Sequence, residues 1–262
     1  MYNMTSELTV SPLSLVFSFV LVLFAISISY KEKLGLEKDI LWAMLRMVVQ
    51  LIIIGYVLTY IFQIDSIIVT AVIMIFMIIN AAYNANKRAD KIPNAFKISL
   101  TAIVVGVVAS ILVLVISGSI QFVPAQIIPI TGMLVGNAMS VIGLSFRNLN
   151  NEFSKAQQEV NERLALGASI KLASTDILRE SIKGSLQPTI DSARTVGLVL
   201  LPGMMVGMML AGAVPLSAIM YQILIYFMLV STSAITSLIA VYLSYKYFYT
   251  DFGQLNILDN EK

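Results

Sequence analysis

The distribution of apolar residues constrains this chain more than any other feature of its sequence. A helix needs about 18 apolar residues to cross a bilayer. Runs of about this length or longer lie at 13–30, 40–62, 67–86, 98–117, 125–146, 196–212 and 217–245. The chain of 262 residues is 58% apolar and 12% charged, whereas a soluble domain is about half apolar and a quarter charged. The sequence therefore predicts a single all-α domain, a polytopic membrane helical bundle of about seven transmembrane helices.

Lysine and arginine fall on one side of these runs only. The N-terminal residues 1–12 and the links at 63–66, 118–124 and 213–215 contain neither residue. All of them except Arg46, which lies inside a run, fall in the other links and the C-terminal segment: Lys31, Lys33, Lys38, Lys87, Arg88, Lys91, Lys97, Arg147, Lys155, Arg163, Lys171, Arg179, Lys183, Arg194, Lys246 and Lys262. Because cytoplasmic loops are enriched in these residues, the pattern predicts an outside N-terminus and a cytoplasmic C-terminus. The first run lacks the basic flank of a cleaved signal peptide, so we expect it to be retained.

Residues 147–195, called the polar segment below, form the only long polar stretch of the chain and hold 13 of its 32 charged residues. Asn150 or Asn151 can cap the start of a helix. Apolar residues then recur at helical spacing, at Phe153, Ala156, Val160 and Leu164. We expect a cytoplasmic segment that exchanges force or material with a soluble partner. The alternative is a solvated linker without a partner.

The second half of the polar segment carries its own helix signals. Gly167 can close the first helix in the left-handed conformation, and Ser169 can cap a second helix with Ile177 on its inner side. Pro188 is expected to break the helical pattern before the sixth apolar run. The predicted arrangement is a helix, a glycine turn and a second helix.

Several kinds of chemistry are excluded by residues that the sequence lacks. The chain has no cysteine and no histidine. It therefore cannot form a Ser-His-Asp or Cys-His catalytic set, and it lacks the commonest metal ligand. No lysine is followed by serine or threonine, and a P-loop requires that pair to bind nucleotide phosphates. We therefore predict no catalytic site, no firmly assigned metal ligand and no cofactor in this chain.

Charged residues inside the apolar runs are rare. Asp39, Asp65 and Asp191 lie at the ends of runs, and Arg46 is the one charge inside a run. Arg46 either extends to the cytoplasmic interface or pairs with a loop or an anion in a transport path. Carriers driven by an ion gradient usually keep a carboxylate within the membrane, and these runs contain none. The pattern therefore favours energy supplied by another protein through the polar segment.

Uncharged polar residues, prolines and glycines in the runs are candidates for a translocation path or a hinge. Pro129 and Pro202 remove backbone hydrogen bonds within the membrane, and each precedes a pair of glycines four residues apart, which allows close helix approach. Simple helix packing is the alternative. The candidates are Gln50, Asn80, Asn84, Pro129, Gly132, Gly136, Asn137, Pro202, Gly203 and Gly207.

Methionines are concentrated in the fifth and sixth runs. They are Met133, Met139, Met204, Met205, Met208 and Met209. Thioethers can bind soft metals such as copper(I), but methionine more often fills irregular gaps between helices. We expect packing.

Four long stretches together resemble the FetB-type permeases, a small family of ABC transporter membrane subunits linked to iron export, and the similar plant subunits linked to aluminium tolerance. These stretches are KEKLGLEKDILWAMLRMVVQLIIIGYVLTYIF, NAAYNANKRAD, SGSIQFVPAQIIPITGMLVGNAMSVIGL and DSARTVGLVLLPGMMVGMMLAG. The resemblance covers nearly the whole chain after residue 12. It implies a non-catalytic permease subunit in the cytoplasmic (inner) membrane, a separate ABC ATPase subunit that binds ATP and Mg, and a second copy of this chain. No nucleic acid partner is implied, and membrane lipid surrounds the spans.

The resemblance also implies a division of the chain. Spans one to five occupy 13–146, a cytoplasmic coupling loop occupies 147–195, spans six and seven occupy 196–245, and a cytoplasmic tail follows at 246–262. The stretch ERLALGAS at 162–169 resembles a degenerate form of the loop by which many ABC permeases contact their ATPase. Glu162 is one residue closer to the glycine than in the importer form of that loop. The expected coupling residues are Glu162, Leu166, Gly167, Ala168, Ser169, Asp176 and Arg179.

Iron export is implied by the resemblance and not by the ligands present. Iron prefers oxygen and nitrogen ligands, and the apolar runs offer few such ligands beyond asparagine, glutamine, threonine and backbone carbonyls. The substrate is then a chelate, a hydrated ion in a wide path, or something else, such as another metal. Two other functions stay open: a secondary carrier or channel for a small solute, and a membrane scaffold that recruits a soluble partner.

Overall fold

The computed structural model describes residues 11–64, 66–89 and 92–256, without the side chains of Pro12 and Gln63. Lys91, Lys262 and Asp65, which entered the charge argument, lie outside the described residues, as do the first ten residues. Within the described part the chain is helical, and its only β-type contacts are isolated bridges.

Ten α-helices and one short 3-10 helix make up the described chain. Their bounds are α1 Pro12–Lys31, α2 Glu37–Ile64, α3 Ile67–Asn86, α4 Ala95–Ile116, α5 Pro124–Lys155, α6 Gln157–Ala165, α7 Ile170–Ala173, α8 Thr175–Thr195, α9 Gly203–Leu210, α10 Pro215–Ser244 and the 3-10 helix Tyr245–Phe248. Six of them, α1 to α5 and α10, are long and apolar enough to cross a membrane among the residues described. The prediction of an all-α polytopic bundle is confirmed.

The helices divide into two units. The first contains α1 and α2, and the second contains α3 to α10. In the first unit the hydroxyl of Ser29 donates to Glu37 Oε1 at 2.8 Å and accepts from the backbone N–H of Leu36 at 3.2 Å. These bonds satisfy polar groups at the turn, so the two apolar helices form a hairpin.

The core of the second unit is built around α5 and α10. Helix α5 packs against α3, α4, α8 and α10, and α10 also packs against α4 and α8. Fully buried large side chains such as Phe146, Leu149 and Phe153 continue along α5 to its C-terminal end. With 32 residues, α5 is about 48 Å long, which exceeds the roughly 30 Å thickness of the hydrocarbon core.

The predicted sixth span, 196–212, is not a continuous helix. Residues 196–202 are irregular, and only Gly203–Leu210 are helical, as α9. Gly197 has a positive φ of 85°, and Pro202 cannot donate a backbone hydrogen bond. The hydropathy of this stretch is that of a span, but its backbone turns at Thr195–Leu200, where three N–H groups converge on the carbonyl of Thr195.

Helix α4 approaches α10 closely at Gly106. A Cβ at this position would lie 2.7 Å from Thr236 Cγ2 and 3.4 Å from the carbonyl oxygen of Thr232. We expect Gly106→Ala to lower the free energy of unfolding by about 1–3 kcal/mol, as overpacking typically does. The measurement is a thermal unfolding curve of the protein in detergent.

Gly136→Ala is the matched control for this prediction. No atom outside its own helix backbone lies within 4 Å of a Cβ at Gly136, so the substitution gains only helix propensity, up to about 1 kcal/mol. Equal stability of the two variants would contradict the close approach of α4 and α10.

Candidate functional site

The polar segment begins as a continuation of α5. The predicted helix start at Asn150 or Asn151 is wrong, because both residues lie inside α5, whose end is packed through Leu149 and Phe153. The chain bends at Ala156, and α6 follows. The predicted apolar stripe faces the core, with Phe153 and Val160 buried and Ala156 and Leu164 partly buried against it.

The glycine turn is confirmed. Gly167 has a φ of 89°, the left-handed conformation that glycine adopts without strain. The N–H of Ala168 donates to the carbonyl of Arg163 at 3.0 Å, and that of Gly167 donates to Leu164 at 2.9 Å, which is the Schellman pattern of a helix end. The hydroxyl of Ser169 then accepts from the N–H of Leu172 at 3.3 Å and caps α7, as predicted.

The turn presents apolar side chains outward on a polar surface. Leu166 is 89% exposed and Leu172 is 62% exposed, although both belong to a hydrogen-bonded backbone. Exposed leucines on an ordered turn can serve as contact residues for another protein. Glu162 is also exposed and accepts from Gln158 Nε2 at 2.9 Å.

An ion-pair network joins α6 to α8 behind the turn. Arg163 contacts Glu159 at 2.5 Å and Asp176 at 2.9 Å, and Arg179 contacts Asp176 at 3.6 Å. The hydrogen bond with Asp176 is the main cause of the raised pKa of Arg163. Because these groups are largely exposed, their contribution to stability is small, and only the Arg163–Asp176 pair joins α6 to α8.

Helix α8 differs from the prediction at Pro188. The proline lies inside the helix, which continues to Thr195. It therefore does not break the helical pattern. The residue four positions earlier is Gly184, which is packed so closely against Asn148 that a Cβ there would lie 2.7 Å from Asn148 Nδ2. The side of α8 that carries Ser181, Ser185 and Thr189 is buried.

The C-terminal residues support the polar segment, which the prediction of a tail at 246–262 did not anticipate. Phe248 stacks on Phe153 with ring centroids 4.4 Å apart, and Tyr249 meets Phe153 edge-on at 5.9 Å. The hydroxyls of Tyr249 and Ser174 lie 2.6 Å apart in a buried contact between the C-terminal segment and the α7–α8 junction. Burial raises the pKa of Tyr249, although the Ser174 hydrogen bond opposes this shift, so the phenol is neutral at physiological pH.

A second polar group, called the hydroxyl cluster below, lies in the interior of the second unit. Asn137 Nδ2 donates to Ser233 Oγ at 2.6 Å. Among the described residues, Asn137 is the one candidate path residue whose side chain forms a hydrogen bond to another helix. The cluster consists of Thr232, Ser233, Thr236 and Ser237 of α10 with Ser110, Asn137, Ser145, Ser185 and Thr189 of the helices around it.

The hydroxyl cluster connects α10 to three other helices. Ser110 of α4 lies 2.7 Å from Thr232, and Ser185 of α8 lies 2.6 Å from Ser237. Ser145 of α5 donates to the same Ser237 at 3.2 Å. Every one of the four α10 members is fully buried. Sequence reasoning missed them, although the run STSAITS at 231–237 is a visible signal in an apolar span.

The other candidate path residues are dispersed. Among the described residues, Asn84 bonds to Asn80 of its own helix, to the side-chain oxygen at 2.7 Å, and Gln50 belongs to α2 in the first unit. Gly132 faces Met77 of α3, whereas Gly203 and Gly207 have no neighbouring atom within 4 Å of a Cβ. The remaining two are Pro129, which is exposed within α5, and Pro202, which precedes the first turn of α9. A hinge at these prolines stays a prediction.

Methionines of the fifth and sixth apolar runs lie in packed positions. Met133, Met139 and Met204 pack against the core, and Met205 is buried, in agreement with the packing interpretation. Across residues 11–64, 66–89 and 92–256, no group of three or more Asp or Glu side chains is placed to hold a metal ion.

The contacts of Phe248 and Tyr249 are expected to keep the polar segment folded. We expect Phe248→Ala, which removes the stack on Phe153, to destabilise this region by about 3–5 kcal/mol and to open the α6–α7 turn to trypsin at Arg163 and Lys171. Limited proteolysis of the membrane-embedded protein measures this. Phe252→Ala is the control, because Phe252 is 92% exposed whereas Phe248 is fully buried. Equal cleavage of the two variants would contradict the supporting role.

Comparison with known proteins places the chain in a family. The model of the uncharacterised protein family UPF0014 matches residues 12–249. The chain is 49% identical over 261 residues to the "Probable iron export permease protein FetB" of Escherichia coli, covering 100% of this chain and 98% of that protein. No solved structure matches.

Two plant proteins are also similar. The rice "UPF0014 membrane protein STAR2" is 38% identical over 95% of this chain and 88% of its own length. "Protein ALUMINUM SENSITIVE 3" of Arabidopsis thaliana is 36% identical over 91% of this chain and 87% of its own length. These matches, together with the six apolar helices, mean that the chain is a multi-pass membrane protein and belongs to the UPF0014 family.

Proposed function

We propose that this chain is the membrane permease subunit of an ABC transporter that exports iron, or another metal ion or its chelate, with ATP hydrolysed by a separate subunit. The observation that carries the proposal is the exposed, glycine-closed turn at 166–169, whose base is fixed to α5 and to the C-terminal segment. The name of the similar Escherichia coli protein, with its full-length match, supports the transport direction and the substrate. The chain itself contains no P-loop sequence.

The geometry favours transmission of force through this turn. Leu166 and Leu172 offer apolar contacts, and the pair of Arg163 with Asp176 joins α6 to α8. A push on the turn therefore reaches α8 directly and α5 through Phe153. In the proposed mechanism, two copies of this chain bind two ATPase subunits in the cytoplasmic membrane, and ATP-driven closure of the ATPases displaces the turn. The polar segment then acts as the coupling loop.

Substitution at Gly167 tests the coupling. Proline cannot adopt the φ of 89° found there, so Gly167→Pro is expected to disrupt the turn while every apolar helix remains intact. We expect the ATPase subunit to be lost on affinity purification, or to hydrolyse ATP without stimulation by iron, with a fall in export of about tenfold or more.

Gly167→Asn is the matched control, because asparagine tolerates the left-handed conformation. It should retain the partner and export at close to the rate of the unsubstituted protein. Normal export by Gly167→Pro would refute the coupling role. Purification of the unsubstituted chain without any ATPase, from cells that express one, would refute the ABC assignment.

A further inference from the structure

The last described residues fold back on themselves in a short hairpin. The N–H of Thr250 donates to the carbonyl of Gln254, and the N–H of Gly253 donates to the carbonyl of Thr250, both at 2.8 Å. Gly253 has a φ of 74°, the left-handed conformation that glycine adopts without strain. Residues 249–255, called the C-terminal hairpin below, therefore form a hydrogen-bonded turn.

An aromatic side chain at the tip of this hairpin lies in solvent. Phe252 is 92% exposed, which matches the 89% exposure of Leu166 on the glycine-closed turn. Each of these residues directly precedes a glycine with a positive φ, which is Gly253 in the hairpin and Gly167 in the turn. Two ordered turns of the second unit thus each present one large apolar side chain outward.

The hairpin and the glycine-closed turn adjoin. A Cβ at Gly253 would lie 3.8 Å from Cγ2 of Ile170, at the start of α7, which is an ordinary van der Waals distance. A groove of about 730 Å³ separates the two segments, and side chains of both line it. They include Asn161, Leu164 and Ile170 of the polar segment and Phe252, Gln254 and Leu255 of the hairpin. The groove therefore combines apolar side chains with amide groups that can form hydrogen bonds.

The coupling contact of the proposed function needs more surface than the turn provides. Stable protein interfaces use about 20–30 residues on each side, whereas the turn at 166–169 has four. Aromatic residues are enriched in such interfaces, and Phe252 is an exposed aromatic residue beside the turn. The continuity of the hairpin with the turn therefore indicates the same partner for both.

We infer that the ATPase subunit binds the C-terminal hairpin as well as the turn, with Phe252 as the anchor of this second contact. The inference rests on the proposed function for the identity of the partner. The hairpin directly follows the 3-10 helix Tyr245–Phe248 at the end of α10, so a force on the hairpin reaches α10 without passing through the polar segment. The ATPase then acts on α5 and α8 through the turn and on α10 through the hairpin.

A lipid surface fits the hairpin less well than a protein does. Asp251 precedes Phe252 at the tip and is exposed, and a carboxylate is repelled by the anionic lipids of the cytoplasmic leaflet. Lipid tails also offer no hydrogen bond to the amide groups of Asn161 and Gln254 in the groove. A protein surface with both apolar and polar groups suits all of these residues.

Photo-crosslinking tests which molecule covers the hairpin. The chain contains no cysteine, so Phe252→Cys carries the only thiol of this chain. The purified variant is labelled with benzophenone maleimide, reconstituted in lipid vesicles with the ATPase subunit and illuminated. We expect Phe252→Cys and Leu166→Cys each to form an adduct with the ATPase subunit, identified by mass spectrometry.

Ile116→Cys is the matched control for the crosslinking. The side chain of Ile116 is apolar and 82% exposed. Helices α4 and α10 run antiparallel, because Ser110 meets Thr232 and Gly106 meets Thr236. Ile116 at the end of α4 therefore lies at the opposite end of α10 from the hairpin, and we expect no adduct with the ATPase subunit there.

Each outcome decides the inference. An adduct from Leu166→Cys but not from Phe252→Cys would leave the coupling turn in place and overturn the second contact. An adduct of Phe252→Cys with lipid, with a second copy of this chain or with residues 257–262 of the same chain would identify another occupant and overturn it equally. Absence of an ATPase adduct from both variants would refute the proposed function itself, and this inference with it.

Binding measurements then test the energetic weight of Phe252. We expect Phe252→Ala to weaken binding of the ATPase subunit by about tenfold or more, as truncation of an aromatic anchor does, whereas Ile116→Ala should stay within about twofold. Trypsin cleavage at Arg163 and Lys171 checks the fold, and Phe252→Ala should leave it unchanged. Unaltered affinity in a correctly folded Phe252→Ala variant would overturn the inference.

Discussion

The hydroxyl cluster is the interaction on which the second unit depends. Inside a membrane there is no hydrophobic driving force between helices, so packing and interhelical hydrogen bonds hold a bundle together. Three buried hydroxyl residues of α10, Thr232, Ser233 and Ser237, supply such contacts to α4, α5 and α8. Each bond contributes about 0.6 kcal/mol on average and up to about 1.7 kcal/mol. Separating α8 from α10 would break the Ser185–Ser237 and Thr189–Ser233 bonds together, so we expect the two helices to move together.

The same rigidity extends to the exposed turn. Phe153 at the end of α5 stacks on Phe248, and Ser174 at the start of α8 bonds to Tyr249. The C-terminal segment therefore joins the ends of α5, α8 and α10. In the proposed mechanism, a displacement at Leu166 is transmitted to α5 and α8 without a hinge inside the polar segment itself. This is the arrangement expected of a subunit that receives energy from a separate protein.

Sequence reasoning predicted the parts of the structure that depend on local pattern. The apolar runs at α1 to α5 and α10, the glycine turn at Gly167 and the cap at Ser169 all follow from composition or from residues close in sequence. The errors concern continuity. Hydropathy cannot distinguish a helix from the irregular backbone at 196–202. The polar residues at Asn150 and the proline at Pro188 were expected to mark helix boundaries, but packing stabilises a continuous helix at both positions.

The missed features depend on contacts between residues distant in sequence. Asn137 and Ser233 are 96 positions apart, and Ser174 and Tyr249 are 75 apart, so no local pattern relates them. The packing of α8 on α10 was not predicted, because charged residues dominate the composition of α8. Its register on α10 became visible only through the pairs at Ser185 and Thr189.

The most direct test of the account is metal efflux from vesicles that contain this chain and its ATPase, purified together and reconstituted. Iron should leave the compartment equivalent to the cytoplasm only when ATP is present on the ATPase side, and iron should stimulate hydrolysis. Iron movement of equal rate without ATP, or without the ATPase subunit, would contradict the account and identify the chain as a carrier or channel.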